Sequence, residues 1–135
     1  MADSIEEVVR DYLNADATFK AKFTRIDYLE SPTGTALPYI NYWLVDDNGR
    51  DTVLNHLEQG EARIQFDLWC SADKNGLIKG TRLRRDIAVK VKAMSESRGG
   101  YYIVTTGITE QTIPRESGSD PFHFVVDGIL RWRKE

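Results

Sequence analysis

The sequence predicts an α+β domain with a mostly antiparallel sheet of about four to six strands packed against two helices. The segment Glu61 to Cys70 alternates polar and apolar residues with a period of two, which is typical of a strand with one buried face. Apolar residues recur at helical spacing in two other segments, one near the N-terminus and one after Cys70. With 135 residues, we expect a single domain covering residues 1–135.

The N-terminal segment begins with a helix signal. Ser4 and Glu7 have the spacing of a capping box, and they predict a helix from Ile5 to Asn14. Asp16 can cap a second short turn that carries Phe19 and Phe23. The following segment, 24–29, alternates polar with apolar residues and is predicted to be a first strand.

The middle of the chain predicts a hairpin. Residues 31–38 contain prolines and a glycine and are predicted to be a loop, and the aromatic and branched residues of 39–45 favour a second strand. Asn48-Gly49, inside 47–50, is typical of a type I′ turn. We expect the chain to reverse there and to return through 52–54 toward the central strand, 61–70.

The segment after the central strand predicts the longest helix. Ser71 and Asp73 are alternative caps, and the helix should extend to about Met94. One stripe of apolar residues supports this interpretation: Leu83, Ile87, Val91 and Met94. Gly76 and Gly80 weaken the first turns, and Leu77 with Ile78 indicates that this part nevertheless packs on something.

Two strands are expected at the end of the chain. Segment 95–100 should close the helix, with Gly99-Gly100 as its terminator. The strands are 101–113, ended by a proline, and 122–133, and the polar loop between them is expected to be flexible.

Composition narrows the class of protein. Cys70 is the single cysteine, so an intrachain disulfide is excluded, and its place on the apolar face predicts a buried thiol. The sequence predicts no signal peptide and no membrane span, because it has no basic-then-apolar start and no run of about twenty apolar residues. A net charge of −3 disfavours a general affinity for nucleic acid.

The residue pattern favours no catalytic, cofactor or metal site. His56 and His123 lie far apart in unlike contexts, and no phosphate-binding glycine loop or nucleophile elbow is present. A Cys70–His123 nucleophile pair is the one arrangement that sequence leaves open. For each of these features the structural interpretation is favoured over a catalytic or ligand-binding one.

The distribution of charge points to contacts between copies. The predicted helix after the central strand is rich in basic residues, whereas the predicted hairpin and the N-terminal helix are acidic. This asymmetry has three interpretations: a solvated pattern without function, a head-to-tail association of copies, or a nucleic-acid surface on the helix, which lacks interleaved aromatic residues. The candidate residues for a subunit interface are Lys79, Arg82, Arg84, Arg85, Asp46, Asp47, Asp51 and Trp69.

Trp69 is a candidate because of its position. It shares the polar face of the central strand with Glu61, Arg63, Gln65 and Asp67, where a large aromatic residue needs a covering surface. The first helix or a loop could supply that cover, and so could another subunit.

The order of these motifs resembles that of the tail-completion, or tail-terminator, proteins of long-tailed bacteriophages. The resemblance spans nearly the whole chain. It consists of the amphipathic N-terminal helix followed by Asn14-Ala15-Asp16-Ala17, the segment Ala36-Leu37-Pro38-Tyr39-Ile40 entering a strand, the segment Arg63 to Trp69 leading into the helix from Ser71 to Met94, and a final strand. The basic helix and the acidic Asn48-Gly49 segment match no pattern of that family.

This resemblance implies a structural virion protein that is not an enzyme and holds no cofactor, which agrees with the lack of a catalytic motif. It implies a hexameric ring that caps the head-proximal end of the tail tube, contacts the tube protein and the head–tail connector, and lets DNA pass through its lumen without specific contacts. It also implies assembly in the host cytoplasm. A lumen lined by the basic helix would bind phosphates, so we expect that helix to face outward or toward a neighbouring subunit.

Two alternatives remain. One is another phage neck or tail-tube subunit. The other is a small ligand-binding or isomerase-like domain, with Tyr42, Tyr101 and Phe124 lining an apolar pocket.

Overall fold

The structure is a computed structural model that describes residues 4–50, 59–98 and 100–135, with the backbone alone at 47–50. It confirms the α+β fold class. The elements in chain order are α1 (Ile5–Asn14), α2 (Ala17–Lys20), β1 (Ile26–Tyr28), β2 (Tyr39–Arg50), β3 (Gln59–Cys70), α3 (Lys74–Lys92), β4 (Ser95–Arg98), β5 (Tyr101–Ile113) and β6 (Phe122–Lys134).

The six strands form one mixed sheet in the order β1-β2-β3-β6-β5-β4. The β1–β2 pair is parallel and the other four pairs are antiparallel. The predicted central strand, β3, lies between β2 and β6 and pairs with both along most of its length. Its period-two alternation therefore sorts the side chains of the whole sheet into two faces.

Each helix begins at the cap that the sequence predicts. The side chains of Ser4 and Asp16 accept hydrogen bonds from the third residue of α1 and of α2 respectively. At α3 the cap is Asp73, whose carboxylate accepts from the backbone N–H of Gly76 at 2.8 Å. These side chains bind amide groups that the first helical turn leaves without partners.

One face of the sheet is covered by α1 and α3 and holds the core. From β3 this face presents Ala62, Ile64, Phe66, Leu68 and Cys70, all buried. The predicted stripe of α3, which includes Leu83, Ile87, Val91 and Met94, packs against them, as do Phe124, Val126, Leu130 and Trp132 of β6. None of the described helices has the length and apolar character needed to span a bilayer.

The two glycines of α3 allow two different close approaches. A Cβ on Gly80 would lie 2.2 Å from the fully buried ring of Phe124, and one on Gly76 would lie 1.8 Å from the backbone oxygen of Ser71. The expected weakening of the helix describes only the low helix propensity of these glycines. Gly80 also lets α3 sit directly on the sheet, and Gly76 lets the first turn of α3 pack against the turn that follows β3.

The predicted turn at 47–50 is wrong. Residues 47–50 continue β2 and pair with 59–62 of β3, after a register shift between Leu44 and Asp46. The ladder of backbone hydrogen bonds thus overrides the turn preference of Asn48-Gly49, which is a local one. The predicted return arm, 52–54, lies outside the described residues.

The predicted helix terminator at Gly99-Gly100 is also wrong. The helix ends at Lys92, and the next residues form β4, which pairs with 101–104 of β5. Gly100, with φ of +83°, lies in the tight connection between these two strands. A local sequence signal for chain reversal does not distinguish a helix end from a hairpin.

The loop between β5 and β6 is held by one side chain. The Arg115 guanidinium donates hydrogen bonds to the backbone oxygens of Ala72, Gly118 and Asp120 and lies 3.7 Å from the ring centre of Phe122. It thereby ties this loop, expected from composition to be flexible, to the turn between β3 and α3.

We predict that Gly80→Ala destabilises the protein by about 1 kcal/mol. The added methyl group must displace Phe124, and overpacking of this kind costs about 1–3 kcal/mol, against a gain in helix propensity of about 1 kcal/mol. Urea unfolding measures the difference. Gly118→Ala is the control, because a Cβ there meets nothing within 4 Å. Equal stability of the two variants would contradict the close packing of α3.

Candidate subunit-contact surfaces

The four predicted basic interface residues of α3 divide into two pairs. The side chains of Lys79 and Arg82 are exposed, and neither has a hydrogen-bond or ion-pair partner in the part of the chain that the structure describes. Arg84 and Arg85 instead turn toward β5, where both bind Glu110. Only the first pair is therefore available to another molecule without loss of an internal contact.

Arg84 is a structural residue. Its Nε lies 3.2 Å from Oε1 of Glu110, its Nη1 donates to the hydroxyl of Thr112 at 2.6 Å, and its guanidinium lies over the ring of Phe124 at 5.9 Å. Its side chain is 19% exposed, whereas that of Arg85 is 68% exposed. A charge reversal at Arg84 would place two carboxylates together at a half-buried site and disturb the fold.

The basic charge of α3 is reduced further on its other side. Lys90 pairs with Asp16 at 3.1 Å and lies 4.3 Å from the ring centre of Tyr12. Asp86, on the same helix, pairs with Lys22 at 3.1 Å. Part of the charge asymmetry seen in sequence thus holds α1 and α2 against α3.

The acidic candidates lie at the other side of the sheet. Asp46 is exposed on β2, just after the register shift. Asp47 is paired through its backbone with Ala62, while its side chain and the whole of Asp51 lie outside the described residues. The predicted acidic surface is therefore represented here by Asp46 alone among the hairpin candidates.

Trp69 is covered by a residue that the sequence analysis did not connect with it. The indole stacks on the His123 ring, with centroids 4.0 Å apart and planes inclined by 7°. His123 is its direct neighbour on β6, on the sheet face opposite to the helices. The position of Trp69 therefore needs no cover from a helix or from another subunit. A role of Trp69 in subunit contact stays a prediction.

This second face of the sheet, which we call the open face, carries a polar cluster around Asp67. His123 Nε2 lies 2.8 Å from Oδ1 of Asp67, Gln65 donates to the same oxygen at 3.0 Å, and the Trp43 indole N–H donates to Oδ2 at 3.3 Å. Burial acts to raise the pKa of Asp67, but these hydrogen bonds outweigh it and hold the pKa below its usual value. The carboxylate thus stays ionised and organises three strands.

Sequence reasoning missed this cluster. The alternation in β3 placed Asp67 and Trp69 on one face, but His123 joins them only through the pairing of β3 with β6. Register between strands distant in sequence leaves no local signal, because it depends on the packing of the other face.

The open question of a Cys70–His123 pair is resolved by the sheet. Cys70 lies on the helix-covered face and is 2% exposed, whereas His123 lies on the open face. Burial raises the pKa of the Cys70 thiol to about 11, so it stays protonated at neutral pH. Within the described ranges no group of three or more metal-ligating side chains comes together.

The aromatic residues of the alternative ligand pocket are part of the core. Tyr42 and Phe124 are fully buried, with Tyr42 stacked on Phe66 at 5.9 Å. Tyr101 packs edge-on against Trp132. These side chains fill space between the sheet and the helices, so they do not line a cavity.

We predict that Asp67→Asn destabilises the protein at pH 7 by about 1–3 kcal/mol, since three half-buried donors lose a charged acceptor. A carboxylate with a lowered folded pKa stabilises the protein above its unfolded pKa of 3.8 and loses that effect as pH falls through the folded pKa. The difference between wild type and variant should therefore shrink in urea titrations below about pH 4. Asp86→Asn, in an exposed ion pair, should cost less than about 1 kcal/mol. A pH-independent difference at Asp67 would contradict this account.

We also predict that Arg84→Ala and Arg82→Ala differ in stability. Arg84→Ala removes one of the two arginine partners of Glu110, the donor to Thr112 and the contact with the Phe124 ring, and it should lower the free energy of unfolding by about 1–3 kcal/mol. Arg82→Ala removes an exposed side chain and should change it by less than about 0.5 kcal/mol. Thermal unfolding of the two variants tests this, and equal values would show that the Arg84 contacts contribute nothing to the fold.

Comparison with known proteins gives a likeness in fold. No family model and no curated protein matches the sequence. A solved structure of a protein described without a function superposes with a TM-score of 0.66 at 13% identity, covering 99% of both chains. A chain of the virion of a native gene transfer agent particle superposes with a TM-score of 0.58 at 16% identity, covering 98% of this chain and 95% of that one. At such identities the two structures show that this architecture, over its full length, occurs in other proteins.

Proposed function

We propose that this chain is a structural protein of a phage-like virion, and specifically a tail terminator. It forms a hexameric ring that caps the head-proximal end of the tail tube and joins it to the head–tail connector. Its work is done by contacts between surfaces, with no bond made or broken and no cofactor. It acts in the virion after assembly in the host cytoplasm.

The observation that carries this proposal is the likeness of the whole fold to a chain of a virion particle. The match extends over 98% of this chain, so it includes the N-terminal helix, the sheet and α3 together. The order of sequence motifs, from the capped α1 to the final strand, supports the finer assignment to the tail-terminator type.

The surface chemistry supports a role in assembly. Lys79 and Arg82 extend from the outer side of α3, and Asp46 is exposed near the opposite end of the sheet order. A head-to-tail ring needs two different faces that complement each other, and opposite charges on two sides of one subunit meet that need.

The alternatives have less support. A small-molecule site would need an apolar cavity with a few converging polar groups, and the aromatic residues that could line it are packed in the core. Another neck or tube subunit remains within the same structural class, and the experiment below separates it from a terminator.

We predict that deleting the gene for this chain from its phage or prophage leaves DNA-filled heads and unattached tails of irregular length in electron micrographs. A terminator stops tube growth and supplies the joint to the head, so both defects should appear together. A tube subunit would instead leave no tails, and tailed particles of normal length would refute the proposal.

Complementation of that deletion tests the charged residues. A Lys79→Glu/Arg82→Glu chain should restore fewer particles than wild type, because these two side chains have no described internal partner. A Lys92→Glu chain, which reverses another exposed charge of α3, is the matched control. Arg84 and Arg85 are left unchanged because of their contacts with Glu110. Full rescue by the double variant would remove these residues from the interface.

A further inference from the structure

We infer that neighbouring copies join through the two edges of the sheet, with β5 of one copy beside β1 of the next. This inference rests on the proposed head-to-tail assembly and names the surfaces that form it. Three features of the described residues carry it: an unprotected strand edge, two edges of complementary outline, and exposed apolar side chains on both flanks.

The first feature is the outer edge of β5. Its partner β4 covers only Tyr101–Val104, and the backbone N–H of Thr105 bonds to Met94. Beyond that point, residues 106–113 pair with β6 on one side and with no described strand on the other. Their unpaired backbone groups can accept another strand.

This edge has little of the protection that strand edges usually carry. Residues 106–113 contain no proline and no lysine, and their one bulge lies at the start, between Thr105 and Gly107. Their single charge, Glu110, is held by Arg84 and Arg85 over the helix-covered face. Exposed edges without such devices pair with other chains.

The second feature is the outline of the opposite edge. There β1 covers β2 only at Ile40–Tyr42, and 43–50 of β2 has no described outer neighbour. When the residue pairing is followed from strand to strand across the sheet, β1 lies at the same level along the strands as Glu110 to Thr112 of β5. In the same way β4 lies level with Asn48 to Arg50 of β2; residues at one level are called a row. Each edge therefore has a projecting strand where the other edge has a gap.

A second copy placed beside the first in the same orientation fits this outline without a shift along the strands. Its β1 fills the gap beside β5, and β4 of the first copy fills the gap beside β2 of the second. Counting directions across the sheet, β1 runs antiparallel to β5, which is the more stable arrangement, whereas β4 runs parallel to β2 of the next copy, as β1 does to β2 within one chain. Repetition of the same step with a constant rotation closes a ring.

The third feature is apolar surface on both flanks. The structure exposes seven large apolar side chains among the residues described. Three lie on the β1–β2 edge, namely Tyr28, Leu29 and Val45, and three lie on α3, namely Leu77, Ile78 and Val89. Leu77, Thr81 and Arg85 are spaced four residues apart on the side of α3 toward β5, where Arg85 bonds Glu110. Ile78 and Val89 lie instead on the outer side of the helix, opposite the buried Leu83 and Ile87. The sequence indicates that the part of α3 with Leu77 and Ile78 packs on something; both side chains are exposed in the single chain, and a neighbouring copy at this flank supplies the cover for Leu77.

Charge supports the same pairing. The flank of α3 beside β5 carries Arg85, and the opposite edge carries exposed Glu30 and Asp46. Apolar contacts, backbone pairing and opposite charges thus coincide on the same two flanks, and the occupant of each flank is a second copy of this chain.

Mixed cysteine variants test the joint. In the inferred register Asp27 of one copy lies in the row of Gln111 of the next, on the same face of the sheet. Residues directly opposite on neighbouring strands lie about 4.5–5.5 Å apart at Cβ, within reach of a strained or slightly adjusted disulfide. Cys70 is buried and does not interfere. The Asp27→Cys and Gln111→Cys chains are purified separately, mixed, oxidised and analysed on non-reducing gels.

The mixture should give about tenfold more covalent dimer than either variant alone, because only the unlike pair meets in the joint. A mixture of Asp27→Cys with Glu61→Cys is the control, since Glu61 is exposed on the same face but on an interior strand. A double Asp27→Cys/Gln111→Cys chain should give a ladder that ends at the closed ring. If the mixture gives no more covalent dimer than the control, the inferred joint is wrong. This holds whether the wild-type chain elutes from size-exclusion chromatography as an oligomer or as a monomer.

A second variant guards against a local effect of Asp27→Cys, which loses contacts with Arg25 and Ser31. Leu77→Asp replaces a side chain that is 40% exposed on the flank of α3 toward β5, so the subunit should fold with an unchanged circular dichroism spectrum. Light scattering should show its self-association weakened about tenfold or more. Unchanged association would overturn the flank contact, while virion imaging of the gene deletion tests the proposed function separately.

Discussion

The pairing of β3 with β6 is the constraint on which the rest of the structure depends. It runs from Gln59–Arg133 to Cys70–Phe122 and aligns the apolar residues of both strands on one face. That face receives α1 and α3, and Gly80 lets α3 approach closely enough to touch Phe124. The same register brings His123 beside Trp69 and Asp67 on the open face. Core packing and the polar cluster are thus two results of one alignment.

Much of the fold could be predicted because its signals are local. The caps Ser4, Asp16 and Asp73, the alternation of β3 and the apolar stripe of α3 are each contained in a few neighbouring residues, and the structure has all of them. The two failures, at Asn48-Gly49 and at Gly99-Gly100, have a common cause. Both pairs favour reversal of the chain, but long-range strand pairing decides whether and between which elements the reversal occurs.

The candidate site was harder to predict for a related reason. Sequence shows how many charges a helix carries, but it does not show where each side chain ends. Among the basic residues of α3, Arg84, Arg85 and Lys90 hold other elements, whereas Lys79 and Arg82 do not. For the open-face cluster, the alternation of β3 places Gln65, Asp67 and Trp69 on one face, but no local signal shows that Trp43 of β2 and His123 of β6 join them. An inference about function from charge alone therefore needs the ion pairs of the structure.

The sharing of Glu110 by two arginines has a consequence for assembly energetics. If Arg85 leaves Glu110 to meet a carboxylate of another chain, Glu110 keeps Arg84 at 3.2 Å and no charge is stranded. The exchange then costs little, because Arg85 is already mostly in water. The subunit thus has a surface arginine that can exchange an internal partner for an external one reversibly. Incorrect early contacts between copies can therefore dissociate before the assembly is complete.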